Sequence, residues 1–451
     1  MISDHQAGFR KIKFLFLIFL LLLVSILSKL GSIYFELYSI SALFLFIILS
    51  LSVFTGAIKW YGTVFLFIFF SSFQFIAMLV PTFFNAMPHY RFFESDSIAE
   101  NYFTYYMLIF LCGYMLLLVT YKLSQKIKVP HYSLNCKDIP LILCYLPFII
   151  AIFSFYKIFS AGGGFVNTIL NMGSINSILA EVAMYGSLSK VGYTSCCMLL
   201  LVRHYRNCVF VFIVLTAMNA AMGERGAILF SGILPLLVTY RLSHGKISAK
   251  YIGIFLLIFF FYYSVLGAFR SANISEAKSE ELTTEKVINV ISKTEHHINA
   301  AATIQMADKD GYYFGETLIN LIYVPIPRAI WSEKPIISES AIIGMQLKGT
   351  NNPTGSGLPP GVFAYGYIQF GLPGVILTAL LSGLIAGIAE KYFLSVLTIP
   401  SILLYSQCQA LFIHVLSTEV QVKFLVNLIV ITAVIILSMI WHTFKKELKK
   451  H

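Results

Sequence analysis

The chain has 451 residues, of which 58% are hydrophobic, 15% aromatic and only 12% charged, against about 25% charged in soluble domains. This composition excludes a soluble enzyme, a disordered protein and a secreted disulfide scaffold, and leaves a polytopic helical membrane protein. The formal net charge of +11 would suggest nucleic acid in a soluble protein; in a membrane protein it has to be located before it is interpreted.

A spanning helix needs about 20 mostly apolar residues, so a chain of this composition accommodates about a dozen. Arg10, Lys11 and Lys13 precede an apolar run from Phe14 to Leu27 with no small-x-small cleavage site after it, which reads as an uncleaved first span. Apolar runs of spanning length lie at 14–30, 33–54, 61–80, 103–121, 139–159 and 187–202. Six more follow at 207–223, 225–241, 251–269, 362–388, 394–416 and 424–442. Only Gly223, Glu224 and Arg225 separate the pair within 207–241. The seven cysteines include no CxxC, and most fall inside apolar runs. They support neither a disulfide framework nor a zinc site, and Cys196-Cys197 reads as helix packing.

Positive charge sets the orientation. With both termini cytoplasmic, the inner segments hold 18 of the 32 Lys+Arg, and eight of the remaining 14 sit in one long outer loop. Long loops translocate largely regardless of charge, so the comparison becomes 18 against six. The +11 is therefore a topology signal, and nucleic acid is not an expected partner. Three regions follow: spans one to nine over 1–269, a large outer loop over 270–361, and spans ten to twelve with a basic cytoplasmic tail over 362–451.

A structureless loop of that length would be unusual. In Glu280–Ala307 the residues Val287, Val290, Ile291, Ile298 and Ala301 recur at spacings of three, four and seven, which predicts a helix. The second half, with Pro325, Pro327, Pro335, Pro353, Pro359 and Pro360, reads as irregular backbone folded over the outer membrane face. Gly162-Gly163-Gly164, in a smaller outer loop, lacks a following GK[ST] and reads as a flexible loop, not a phosphate cradle.

Few residues offer chemistry. Arg225, in Gly223-Glu224-Arg225-Gly226, opens a span at the outer surface. An arginine beside the N–H groups of a helix N-terminus suits phosphate, although pairing with Glu224 or snorkelling to headgroups explains it as well. Arg270 ends the ninth span, where a cation is favourable in its own right. Glu295-His296-His297 supplies groups able to accept a hydroxyl proton. Successive helical residues are about 100° apart, so the three cannot all face one target, and a solvated helix face is the simpler alternative. In Pro325-Ile326-Pro327-Arg328-Ala329-Ile330-Trp331-Ser332-Glu333-Lys334-Pro335 a proline frame presents Arg328 to fork onto phosphate. It also presents Trp331 to stack on a sugar or sit at the lipid interface. Gly383 and Gly387 form a GxxxG, a packing motif.

Three segments together resemble the Wzy-type O-antigen (oligosaccharide repeat unit) polymerases. They are Arg225-Gly226, Pro327-Arg328-x-x-Trp331-x-x-Lys334-Pro335, and Pro360-Gly361 followed by Phe370-Gly371-x-x-Gly374. In related proteins an acidic residue often stands between the Pro-Gly and Phe-Gly pairs; here Tyr365 occupies that place.

The resemblance implies an all-α polytopic fold of about twelve transmembrane helices with one large, partly helical periplasmic loop, similar to the GT-C glycosyltransferases. It implies a multi-pass protein of the bacterial inner membrane with a periplasmic active site. The activity implied is cofactor-free, metal-independent transfer of a glycan from undecaprenyl pyrophosphate to a sugar hydroxyl of an incoming lipid-linked repeat unit. Arg225 and Arg328 would stabilise the leaving pyrophosphate, with Glu295, His296 or His297 as base and Arg270, Trp331 and Lys334 binding substrate. The partners implied are the undecaprenyl-pyrophosphate-linked oligosaccharide, membrane lipid, and a chain-length regulator and flippase of the same pathway. An O-antigen ligase shares this topology and chemistry. A flippase or other transporter would have short loops and charged or broken helices at the midplane.

Overall fold

The computed structural model describes residues 92–128, 140–170, 183–222, 295–323, 326, 331, 333–336, 339–351, 358–396, 398, 401–402, 404–405 and parts of 432–444. The candidate spans at 14–30, 33–54, 61–80, 225–241 and 251–269, most of 394–416 and 424–442, and the stretch 280–294 lie outside the described residues. Among the described residues all regular structure is helical. Three of the described helices are long and apolar enough to cross a membrane, over Ser97–Ser124, Leu141–Ala161 and Leu372–Ser395.

Helix α1 (Asp96–Ser124) starts at Ser95, whose extended backbone lets its Oγ accept the Ile98 N–H at 3.4 Å. It carries no charged residue from Asn101 to Tyr121 and then places Lys122 in its last turn, against the negative end of the helix dipole. Helix α2 (Leu141–Ala161) contains Pro147, which loosens the ladder around it. The neighbouring Phe148 N–H donates across to Ser195 Oγ at 2.9 Å. Gly162 caps α2, and Gly163 and Gly164 take positive φ values of 78° and 109°. Asn167 Nδ2 donates to the Gly162 carbonyl at 2.8 Å. The three glycines thus form a defined turn into α3 (Phe165–Leu170), not the flexible loop that the sequence suggests.

The run 187–202 divides into α4 (Ala183–Val191) and α5 (Tyr193–Leu201) at Gly192, and α6 (Tyr205–Ala221) follows. Helices α2 to α6 enclose one core, around Ala151, Phe155, Ile158, Cys196, Cys197, Val211 and Leu215. The cysteine pair is buried in it, as helix packing predicts.

A second core lies between α1 and four elements from the C-terminal half: α7 (Glu295–Asp310), α9 (Glu339–Lys348), α10 (Val362–Phe370) and α11 (Leu372–Ser395). The short α8 (Glu316–Ile319) runs on into a 3-10 turn over Asn320–Tyr323. Helix α7 lies within the predicted 280–307 stretch and extends beyond it to Asp310. It is not a one-sided amphipathic helix: every residue from Ile298 to Ile304 is buried. The small side chains of Ala300, Ala301 and Ala302 make that possible.

The predicted single span over 362–388 is two helices. The chain turns at Gly371, with φ 66° and ψ −147°, a region open essentially to glycine alone. Pro373 then sits in the first turn of α11, where its missing N–H costs nothing. On α11, Gly383 abuts the Leu117 carbonyl, Gly387 abuts Ser124, and Lys391 Nζ reaches the Gln125 carbonyl at 2.7 Å. Contacts advance along both helices together, so α1 and α11 are parallel, and the GxxxG is their packing seam. Contacts of α10 run the other way. Phe363 meets Phe110 and Gly113, and Tyr367 meets Tyr105. So α10 begins beside the middle of α1, runs back about 13 Å toward the start of α1, turns, and returns as α11.

Exposure on α11 is inverted relative to a water-soluble helix. Leu372, Ile376, Leu377, Leu380 and Leu381 are exposed, while Gly374, Ala379, Gly383, Ala386 and Gly387 are buried. Large apolar residues outside and small ones inside is the pattern of a helix whose solvent is lipid.

Candidate functional site

The candidate site is built where α7, α10 and the start of α1 meet, called here the rim. Helix α7 ends in Asp308-Lys309-Asp310, the first charges after an uncharged run from Ile298 to Ala307. Lys309 Nζ contacts Glu94 Oε1 at 3.0 Å, which fixes the end of α7 beside the start of α1 and raises the Lys309 pKa through that hydrogen bond. Both side chains are largely exposed, so the pair positions more than it stabilises.

Next to it, the Tyr367 hydroxyl donates to Asp308 Oδ1 at 2.7 Å. The Tyr105 hydroxyl lies 3.4 Å from that of Tyr367. The rings of Tyr105 and Tyr312 meet Tyr367 edge to face, at 5.9 and 5.8 Å. Tyr102 approaches the same carboxylate from α1. Asp308 is exposed, Tyr102, Tyr105 and Tyr312 are half-buried, and Tyr367 is buried.

A strap over 312–315 closes the rim end of α10. Tyr313 and Phe314 donate their N–H groups to the carbonyls of Ile368 and Gln369, each at 2.9 Å, and Gly371 donates to Tyr367. Three of the four carbonyls that a helix end leaves without partners are thereby satisfied. Gln369 completes the strap from below, accepting the Gly315 N–H at 3.2 Å and donating to Thr317. Thr317 in turn lies 3.3 Å from the Tyr365 hydroxyl. Tyr365 is therefore an interior strut. Tyr313 donates to Gln346 on α9, and burial pushes its hydroxyl pKa up to about 12. Phe314 adopts φ 48° and is 74% exposed, its ring 6.0 Å from that of Tyr312 and nearly perpendicular to it.

The residues singled out from sequence fare differently. Arg225, Arg270 and Arg328 lie outside the described residues. Glu295, His296 and His297 form the first turn of α7, the end away from the rim. In the next turn, Asn299 is buried and its Oδ1 has no hydrogen-bond partner among the described residues. The Trp331 ring packs edge-on against Tyr323 at 5.2 Å. The Lys334 ammonium is buried and donates to the Ile326 carbonyl at 2.7 Å, drawing the two ends of the proline segment together. The rim residues Asp308, Tyr312, Phe314 and Tyr367 were not read from sequence. The available signal was the abrupt charge after an uncharged helix, followed directly by Gly311-Tyr312-Tyr313-Phe314. Among the described residues no group of three or more His, Cys, Asp or Glu is arranged to hold a metal.

Comparisons with protein families, with curated proteins and with solved structures return no match.

Proposed function

We propose that the chain is a Wzy-type O-antigen polymerase of the bacterial inner membrane. It joins undecaprenyl-pyrophosphate-linked repeat units on the periplasmic side, with about twelve spans and a GT-C-like architecture. The observation that carries this reading is the match of the three short segments, the proline-arginine-tryptophan segment above all. The fold of the third segment supports it: Pro360-Gly361 leads into a hairpin whose corner is Phe370-Gly371 and whose closest contact is at Gly374. That hairpin packs against a helix of the long loop and against α1.

In this reading the acceptor hydroxyl attacks the anomeric carbon of the donor glycan as its bond to the pyrophosphate oxygen breaks. The hydroxyl proton passes to a base on α7, with Glu295, His296 and His297 as the sequence candidates. Undecaprenyl pyrophosphate leaves with the bonding electrons. Its charge grows in the transition state, so Arg225 and Arg328, helped by Arg270, act where charge develops. Trp331 holds substrate, and Lys334, expected from sequence to do the same, is bound instead to the Ile326 carbonyl and braces the proline segment.

The test is the lipopolysaccharide of a deletion strain, run on a gel. A polymerase predicts loss of the ladder with a single repeat unit retained on the core. Loss of every repeat unit indicates a ligase or flippase instead. Arg225→Ala and Arg328→Ala should each abolish the ladder at normal membrane abundance, and normal polymer from both would refute their assignment.

A further inference from the structure

We propose that Asp308, Tyr312, Phe314 and the tyrosines around them form a carbohydrate subsite that holds a pyranose ring of the acceptor repeat unit at the rim. The proposal rests on the polymerase reading for the identity of the sugar, and on the structure for the site.

Sugars offer two surfaces: hydroxyl groups in the ring plane and an apolar C–H face. A protein binds them with a carboxylate or hydroxyl at the ring edge and an aromatic face beneath it. The rim supplies both. Asp308 is an exposed carboxylate held on one side by the Tyr367 hydroxyl at 2.7 Å. The Tyr105 hydroxyl continues the polar line 3.4 Å further on. Tyr312 and Phe314 stand nearly perpendicular at 6.0 Å, so their faces and edges wall a corner beside that line.

Phe314 is the most telling of these residues. A non-glycine residue at positive φ is uncommon, and a bulky one is an outlier that invites a functional explanation. Phe314 is held there by its own N–H bond to the Gln369 carbonyl, and its ring is turned out of the core. The capping of α10 accounts for the backbone, but not for the choice of a large aromatic side chain turned outward at that position.

An aromatic belt at the lipid boundary would also use tyrosines. Belt tyrosines, however, send their hydroxyls separately into the headgroup water. Here the hydroxyls of Tyr367 and Tyr105 converge with one carboxylate, on three different helices.

The experiment uses the full chain in nanodiscs, with the repeat-unit oligosaccharide freed from its lipid by mild acid. Binding is read by calorimetry and by saturation-transfer NMR. Wild type is expected to bind, with Asp308→Asn and Tyr312→Ala each weakening binding at least tenfold. Phe314→Gly is the decisive variant, because it relieves the backbone while removing the ring. It should keep the wild-type melting temperature and still lose affinity. The subsite is overturned if wild type binds no oligosaccharide, or if Phe314→Gly and Asp308→Asn bind as wild type does. It is equally overturned if Tyr312→Ala and Phe314→Gly change only membrane abundance, which marks a lipid belt. A strain lacking the protein that keeps its ladder, together with a protein whose oligosaccharide binding depends on Phe314, would overturn the polymerase and leave the subsite standing.

Discussion

A left-handed backbone costs a residue with a Cβ about 1–2 kcal/mol, and the strap around Phe314 offsets that cost through three hydrogen bonds to two residues, Ile368 and Gln369. Gly374 shows the opposite economy of space. A methyl group there would overlap the Gly366 carbonyl oxygen and crowd Phe370 Cβ at 3.2 Å. The first obstacle is backbone, which cannot rotate aside. Gly374→Ala should therefore destabilise the protein by about 1–3 kcal/mol, the usual cost of overpacking, seen as a lower melting temperature in detergent or nanodiscs. An unchanged melting temperature would mean that α10 and α11 lie further apart than described. Glycine at 374 stands out in the sequence as part of Phe-Gly-x-x-Gly. Its partner does not, because Gly366 belongs to a neighbouring helix and no spacing rule connects the two.

At the scale of elements, hydropathy located most of what it could locate. The runs at 139–159 and 207–223 correspond to α2 and α6 within two residues, and the run at 103–121 lies inside the longer α1. It failed where both sides of a break are equally apolar. Between Tyr367 and Leu377 the markers of the corner are Gly371, Pro373 and Gly374, and the apolar run continues through them. Hydropathy also cannot tell which face of α11 is buried, since leucine on one side and alanine with glycine on the other both score as apolar. Helix α7 falls partly in the stretch whose spacing predicts a helix, yet the burial of every residue from Ile298 to Ile304 is not legible, because Asn299 and Thr303 read as a polar face. The corner itself is testable. Gly371→Ala forces a side chain into a backbone region reserved for glycine and sets its Cβ 3.2 Å from the Tyr312 ring. Strain of about 1–3 kcal/mol is expected. The same change should disturb the tyrosine cluster, so oligosaccharide affinity and melting temperature should fall together. A variant with wild-type values of both would contradict the hairpin.

Across the whole molecule, the parallel pair α1 and α11 has ends of opposite character. Lys122, Lys126, Lys128 and Lys391 gather at one end, where Lys391 reaches the Gln125 carbonyl. Glu94, Asp96, Glu100, Asp308 and Asp310 stand at or near the other. The positive-inside rule assigns the lysine end to the cytoplasm. In a cysteine-free background, Phe314→Cys should react with a membrane-impermeant maleimide added outside spheroplasts. Gln125→Cys should react only after the membrane is opened. Labelling of both from one side would remove the expected orientation and with it the proposed periplasmic site.

The strap over 312–315 has a consequence for how the proposed lipid-linked substrate reaches the rim. Lifting it would strip hydrogen bonds from the Ile368 and Gln369 carbonyls at the end of a helix set against a spanning one. Three such bonds, each worth about 0.5–1.5 kcal/mol net, tie the strap to α10. The strap and α10 are consequently welded into a fixed sill, unsuited to act as a trapdoor. If the chain is the proposed polymerase, a polyprenyl tail attached to a sugar at the rim slides in sideways from the bilayer, like a card entering a slot, with only its head crossing the sill.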